Sequence, residues 1–140
     1  MDFNMVGPAA VLALGMLGSA MGCGIGAMAM HGVVSRVEEG HGKFIAMAAM
    51  PSSQAIYAFI LMLFMKNKID AGSLSALSGL GIAIFIGGAI MVSAIYQGMC
   101  AATGIQSTAK QPAVFGKNIA MLGIVESFAL FAFVFTLMII

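Results

Sequence analysis

The chain has no tryptophan, only two cysteines and three prolines, and just six basic and five acidic side chains over 140 residues. So little charge excludes an ordinary soluble domain, in which about a quarter of the residues are Asp, Glu, Lys or Arg. A net charge of +1 without a basic cluster gives no footing for a nucleic-acid partner. Cys23 and Cys100 each stand alone in a hydrophobic run, without CxxC spacing, and read as small packing residues. No Walker sequence occurs, so nucleotide chemistry does not belong to this chain. The segment GIGAMA lacks the strand and βαβ unit that a dinucleotide fingerprint needs.

What remains is 61% hydrophobic, with 18 glycines and 14 methionines. The methionines are scattered over all faces and read as packing and lipid-facing filler rather than a copper relay. Uncharged runs cover 3–35, 44–65 and 71–109, and a fourth run, 118–140, carries one charge, Glu126. Each exceeds the roughly 20 residues of a helical membrane span. The first run is too long for a signal sequence and is preceded only by Asp2, so it reads as a structural helix. The expected fold is an all-α membrane protein of four transmembrane helices, 6–34, 43–65, 71–107 and 118–140, arranged as two helical hairpins.

The breaks between helices are SRVEEGHGK, KNKID and TAKQPAVFGK. Arg36, Lys43, Lys110 and Lys117 fall in the first and third, Lys66 and Lys68 in the second, which puts the first and third breaks in the cytoplasm. His41 reads as a solvated loop residue and His31 as an interfacial one, with no second ligand beside either. Helix 1 lines Gly15, Gly18, Ser19, Gly22, Gly26 and Ala29 along one face, and helix 3 repeats small residues at Ala83, Gly87, Ala94, Gly98 and Ala101. Small residues let helix backbones approach where the solvent is itself apolar. An offset of 72 residues superposes Gly26 on Gly98, Ala29 on Ala101, Gly32 on Gly104, Phe59 on Phe131 and Gln54 on Glu126. The chain therefore reads as a duplicated hairpin, 1–68 and 69–140, the second copy bearing the acid.

Asp2, Glu38, Glu39 and Asp70 lie at an end or in a break, whereas Glu126 lies mid-span. A charge there costs about 2.5 to 3.5 kcal/mol on insertion scales, so a proton, an ion or a partner must neutralise it. At about 1.5 Å per residue, Gln54, Gln97 and Glu126 all lie some 15 Å from the cytoplasmic ends of their helices. Pro51 has no N–H, which frees the carbonyl of Met47 and loosens helix 2 beside Ser53 and Tyr57. One carboxylate, two amide oxygens, a hydroxyl and a carbonyl suit a hard monovalent cation, and sodium fits better than calcium, which recruits more carboxylates. Tyr57 can hold the second carboxylate oxygen. The plain alternative is interhelical glue around a protonated Glu126.

These residues resemble the proteolipid rotor subunits, also called subunit K, of V-type rotary ATPases, over essentially the whole chain. MPSSQAIYAF is similar to the LPGTQGLYGF-type segment of bacterial sodium-translocating members, YQGMCAATGIQ to their helix 3 segment and VESFALFAF to their helix 4 segment. The resemblance implies ion ligands at Glu126, Gln54, Gln97, the Ser53 hydroxyl and the Met50 carbonyl, with Tyr57 orienting the carboxylate. Ser53 stands where Thr is usual and Ser52 where Gly is usual. It further implies a ring of identical subunits in a bacterial cell membrane, in contact with lipid, a central-stalk subunit and a stator subunit that supplies an Arg. Such a ring has no catalytic residue of its own and needs no organic cofactor. It couples Na+ passage, or alternatively H+ passage, to ATP hydrolysis or synthesis. A stand-alone channel would spread its polar residues along a path, and a purely structural ring protein would not need Glu126.

Overall fold

A computed structural model describes residues 3–140, so Asp2 lies outside the described residues. Four helices are long and apolar enough to cross a membrane: α1 (Phe3–Val34), α2 (His41–Asp70), α3 (Ala76–Lys110) and α4 (Pro112–Ile139). No strand occurs among the described residues.

Two of the helix ends differ from the sequence expectation. KNKID does not break the chain: α2 carries on through it to Asp70, and Lys66 pairs with Asp70 one turn away at 2.5 Å. Charged side chains beyond the apolar window end a hydrophobic run without ending a helix; Gly72, at φ 74°, supplies the left-handed residue that does. The following Ser75 caps α3 by accepting the Ser78 N–H at 3.1 Å. At the third break α3 runs to Lys110 and Pro112 opens α4, which leaves Gln111 alone as the connection. His41 likewise opens α2, and its Nε2 donates to the Val37 carbonyl at 2.6 Å, so it is a half-buried residue that ties the connection to the helix start rather than a solvated one. His31 is exposed at the end of α1.

The glycine faces set the packing. A Cβ at Gly7 would come within 2.6 Å of the Gly79 backbone and one at Gly18 within 2.6 Å of Met91 Cα, while Gly98 faces the Gly22 backbone and Gly22 the Ala94 carbonyl. α1 and α3 therefore touch main chain to main chain, a separation that only small residues permit. α2 lies against α1 through Gly15 with Ala58 and Gly26 with Ala48. α4 lies against α3 and meets α2 where Tyr57 stacks on Phe133 at 5.7 Å between ring centroids. In α3, Ala83–Gly87 forms a π-helical turn that sets Gly87 against Val11 and Leu14.

Two apolar clusters fill the bundle. One, toward the first and third breaks, contains Val33, Phe44, Met47, Ala48, Ala101, Ile105 and Leu122. The other contains Val11, Leu61, Met65, Ala83, Ile90 and Ala129. Gln54, Gln97 and Glu126 belong to neither, and they sit between them.

Candidate functional site

α2 bends into its site through a 3-10 turn, Met50–Ser52, built on the buried Pro51. In that tighter turn the Ser53 N–H and hydroxyl both reach the Met50 carbonyl, the hydroxyl at 3.1 Å, and Ser52 Oγ donates to the Ala49 carbonyl at 2.7 Å. The oxygens gathered at the proline are therefore those of Ala49 and Met50. Met47, whose carbonyl the proline was expected to free, has its side chain fully buried in the apolar cluster nearer the breaks.

From this turn a polar chain crosses three helices. Ser53 Oγ lies 3.2 Å from Gln54 Oε1, and Gln54 Nε2 donates to Gln97 Oε1 at 2.8 Å. Gln97 Nε2 spends its two hydrogens on α4, on the Leu122 carbonyl at 3.1 Å and on Glu126 Oε2 at 3.3 Å. The other carboxylate oxygen, Oε1, accepts the Tyr57 hydroxyl at 2.8 Å. The structure thus joins Met50, Ser53, Gln54, Tyr57, Gln97 and Glu126 into one continuous network, with no sequence-predicted member left elsewhere.

Burial is uneven across the network. Gln54 and Gln97 are 0% exposed, whereas Glu126 is half-buried on α4, with the buried Leu122 and Ala129 one turn away on one flank and the exposed Gly123 and Leu130 one turn away on the other. The carboxylate consequently stands at the rim of the bundle, with its neutral partners behind it. No lysine or arginine pairs with it among the described residues. Nor do three His, Cys, Asp or Glu side chains gather anywhere among the described residues, so the oxygen donors around Glu126 are neutral.

Two polar residues of the contact between α3 and α4 were missed from the sequence, one beside the site and one about two turns from it. Ser93 donates to the Val125 carbonyl at 2.9 Å and ties α4 down beside Glu126. Asn118 reaches the Gly104 carbonyl, Ser107 Oγ and Thr108 Oγ1 at 3.0, 2.8 and 2.9 Å. Their signal was present: Ser93 precedes Gln97 by four residues and Asn118 precedes Leu122 and Glu126 by four and eight, one helix face in each case.

The family of the ATP synthase C subunit matches the chain twice, over residues 6–65 and 80–139. The A-type ATP synthase subunit K of Methanocaldococcus jannaschii is 34% identical over 98% of this chain and 65% of its own length. The chain therefore spans just under two thirds of that relative. The V-type sodium ATPase subunit K of Enterococcus hirae is 28% identical over 100% of this chain and 91% of its own. The double match falls on the two hairpins, one copy per pair of helices, and with it the four-helix membrane bundle belongs to the ATP synthase C-subunit family as a proteolipid of the V/A type.

Proposed function

We propose that the chain is a rotor-ring subunit of a V/A-type rotary ATPase that carries a monovalent cation, sodium in preference to a proton, on Glu126. The observation that carries this reading is the meeting of Glu126, Gln97, Gln54 and Tyr57 from three helices at one level between two apolar clusters. A proton carrier needs only an acid and a donor. Two fully buried amides and a hydroxyl beside a proline turn add neutral oxygens, which a hard cation uses and a proton does not.

In this reading Glu126 supplies the single negative charge, and Gln54, Gln97, Ser53 Oγ and the Met50 carbonyl are the neutral oxygen donors. Tyr57 keeps the carboxylate turned inward through its bond to Oε1. Once neutralised, Glu126 can sit at an apolar rim, and its half-exposed position gives a stator arginine access to it. Competition by that arginine releases the ion as the ring turns against the stator subunit. The halves 1–68 and 69–140 act as copies of one hairpin, of which only the second contributes charge, so each protomer of the ring holds one ion. Identical subunits, lipid and a central-stalk subunit are the expected partners, and the cell membrane of a bacterium the expected location. The relative from Enterococcus hirae, a sodium ATPase subunit by name, supports the choice of sodium.

Carbodiimide modification of Glu126 tests it, because the reagent attacks the protonated acid. Sodium at millimolar concentration should slow the labelling. Labelling that follows pH and ignores sodium would make this a proton rotor.

A further inference from the structure

Ser19 Oγ is the one buried side-chain nitrogen or oxygen among the described residues without a hydrogen-bond partner, and Ser19 is 6% exposed. A hydroxyl inside a helix ordinarily turns back onto a carbonyl of its own preceding turn. Ser52, Thr103, Ser107, Ser127 and Thr136 all do so here. Ser19 does not.

Its place on α1 says what it faces. Gly15 and Gly22, four residues before and three after, share its face. Gly15 lies against the main-chain carbonyl of Gln54, and Gly22 against Pro51 and Ala94. Ser19 therefore covers the stretch of α2 between Pro51 and Ala58, where the buried polar residue is Gln54. Gln54 in turn has a donor to spare. Its Nε2 carries two hydrogens, and its acceptor among the described residues is Gln97 Oε1.

We propose that Ser19 is a positioning residue for the cation site, its Oγ accepting an amide N–H of Gln54 in the ion-loaded state. The proposal rests on the cation-carrying reading of Glu126. In the network as it stands, the Gln54 N–H occupies a lone pair of Gln97 Oε1 and points partial positive charge at an oxygen a cation would use. Loading turns that N–H away from Gln97. Gln54 is 0% exposed and finds no water, so its N–H needs a protein acceptor. The unengaged hydroxyl on α1, the helix that closes that side, is the acceptor at hand. Ser19 touches no ion; it decides how readily the amides can turn to meet one.

The test uses the purified membrane complex with wild-type, Ser19→Ala and Ser19→Gly chains, and reads the sodium concentration that halves carbodiimide labelling of Glu126. Both variants should raise it by about three- to tenfold, the range for one hydrogen bond lost by a buried amide. Labelling without sodium should keep its wild-type pH profile, because Ser19 is unengaged in that state. Packing damage would move that profile. An unchanged sodium dependence in both variants would overturn the proposal and leave the sodium reading intact. A shift in glycine that alanine does not share would mark a packing or backbone effect, since alanine removes the hydroxyl alone, and would also overturn it. Wild-type labelling indifferent to sodium would remove the sodium reading itself, and this proposal with it.

Discussion

Along the seam of α1 and α2, Gly15 meets Ala58, Gly22 meets Pro51 and Gly26 meets Ala48, and a weak 3.9 Å side-chain contact runs from Cys23 Sγ to the Ala49 carbonyl. Along the seam of α3 and α4, Ser93, Gln97 and Asn118 all donate across, to Val125, Leu122, Glu126, Gly104, Ser107 and Thr108. Two copies of one hairpin are thus held by different physics, the first by close approach of small residues and the second by hydrogen bonds. The difference divides the labour. A glycine seam is held by close packing and serves mainly as scaffold; a polar seam can hold a carboxylate. Yet the site belongs to neither copy alone, because Gln54 and Tyr57 reach from the first hairpin to Gln97 and Glu126 in the second.

The hardest test of this contrast makes the second copy like the first. Glu126→Gln places an amide where Gln54 has its counterpart, and ion transport by the reconstituted complex should vanish while the variant still assembles. Transport that survived would remove both the site and the rotor reading. Next in size is a change in the scaffold seam. Gly22→Ala drives a Cβ into the Ala94 carbonyl and Pro51, backbone and ring atoms that cannot swing aside, so a loss of about 3 kcal/mol is expected. Thermal dissociation of the complex measures it, and an unchanged midpoint would mean that the crossing is looser than the glycines imply.

Much of this division is readable in the sequence. The small-residue faces, the mid-span acid and the two amides at its depth follow from spacing alone, since the helical period fixes which residues share a face. The ends of α2 and α3 did not follow, because hydrophobicity marks the membrane and not the helix: Lys66 and Asp70 are charged and helical all the same. The π turn at Ala83–Gly87 left no trace either, for it answers to packing on Val11 and Leu14 rather than to any proline nearby. Local reasoning at the proline pointed to the Met47 carbonyl through the loss of one α-helical bond, whereas the 3-10 turn, which spacing does not announce, brings the Ser53 N–H and hydroxyl onto the Met50 carbonyl.

Smaller again is the link between the copies. Tyr57→Phe keeps the stacking on Phe133, 5.7 Å between centroids, and removes only the 2.8 Å bond to Glu126 Oε1. A single charge-assisted bond corresponds to about a tenfold rise in the sodium needed for half-protection from carbodiimide. A rise much below that would make the tyrosine a packing residue.

The smallest effect belongs to Asn118, and it asks whether the polar seam is one network or two. Its two amide hydrogens are shared among three acceptors, so no bond is at full strength. When Asn118→Ala removes them, Ser107 Oγ still donates to the Gly104 carbonyl at 3.0 Å, and the chief casualty is the hydroxyl of Thr108, 1% exposed. Side-chain bonds between membrane helices average about 0.6 kcal/mol, so the complex should lose about 1 kcal/mol of stability and dissociate a few degrees earlier. Asn118 lies eight residues from Glu126, about 12 Å along the helix, and the buried Ala101, Ile105 and Leu122 fill the space between them. Sodium protection of Glu126 should therefore be unchanged. If it weakened together with stability, the apolar plug would be transmitting strain, and the latch at Asn118 would have to be counted as part of the ion site. Repeating the measurement in Thr108→Val decides the point, since that change removes one of the three acceptors of the latch without touching α4.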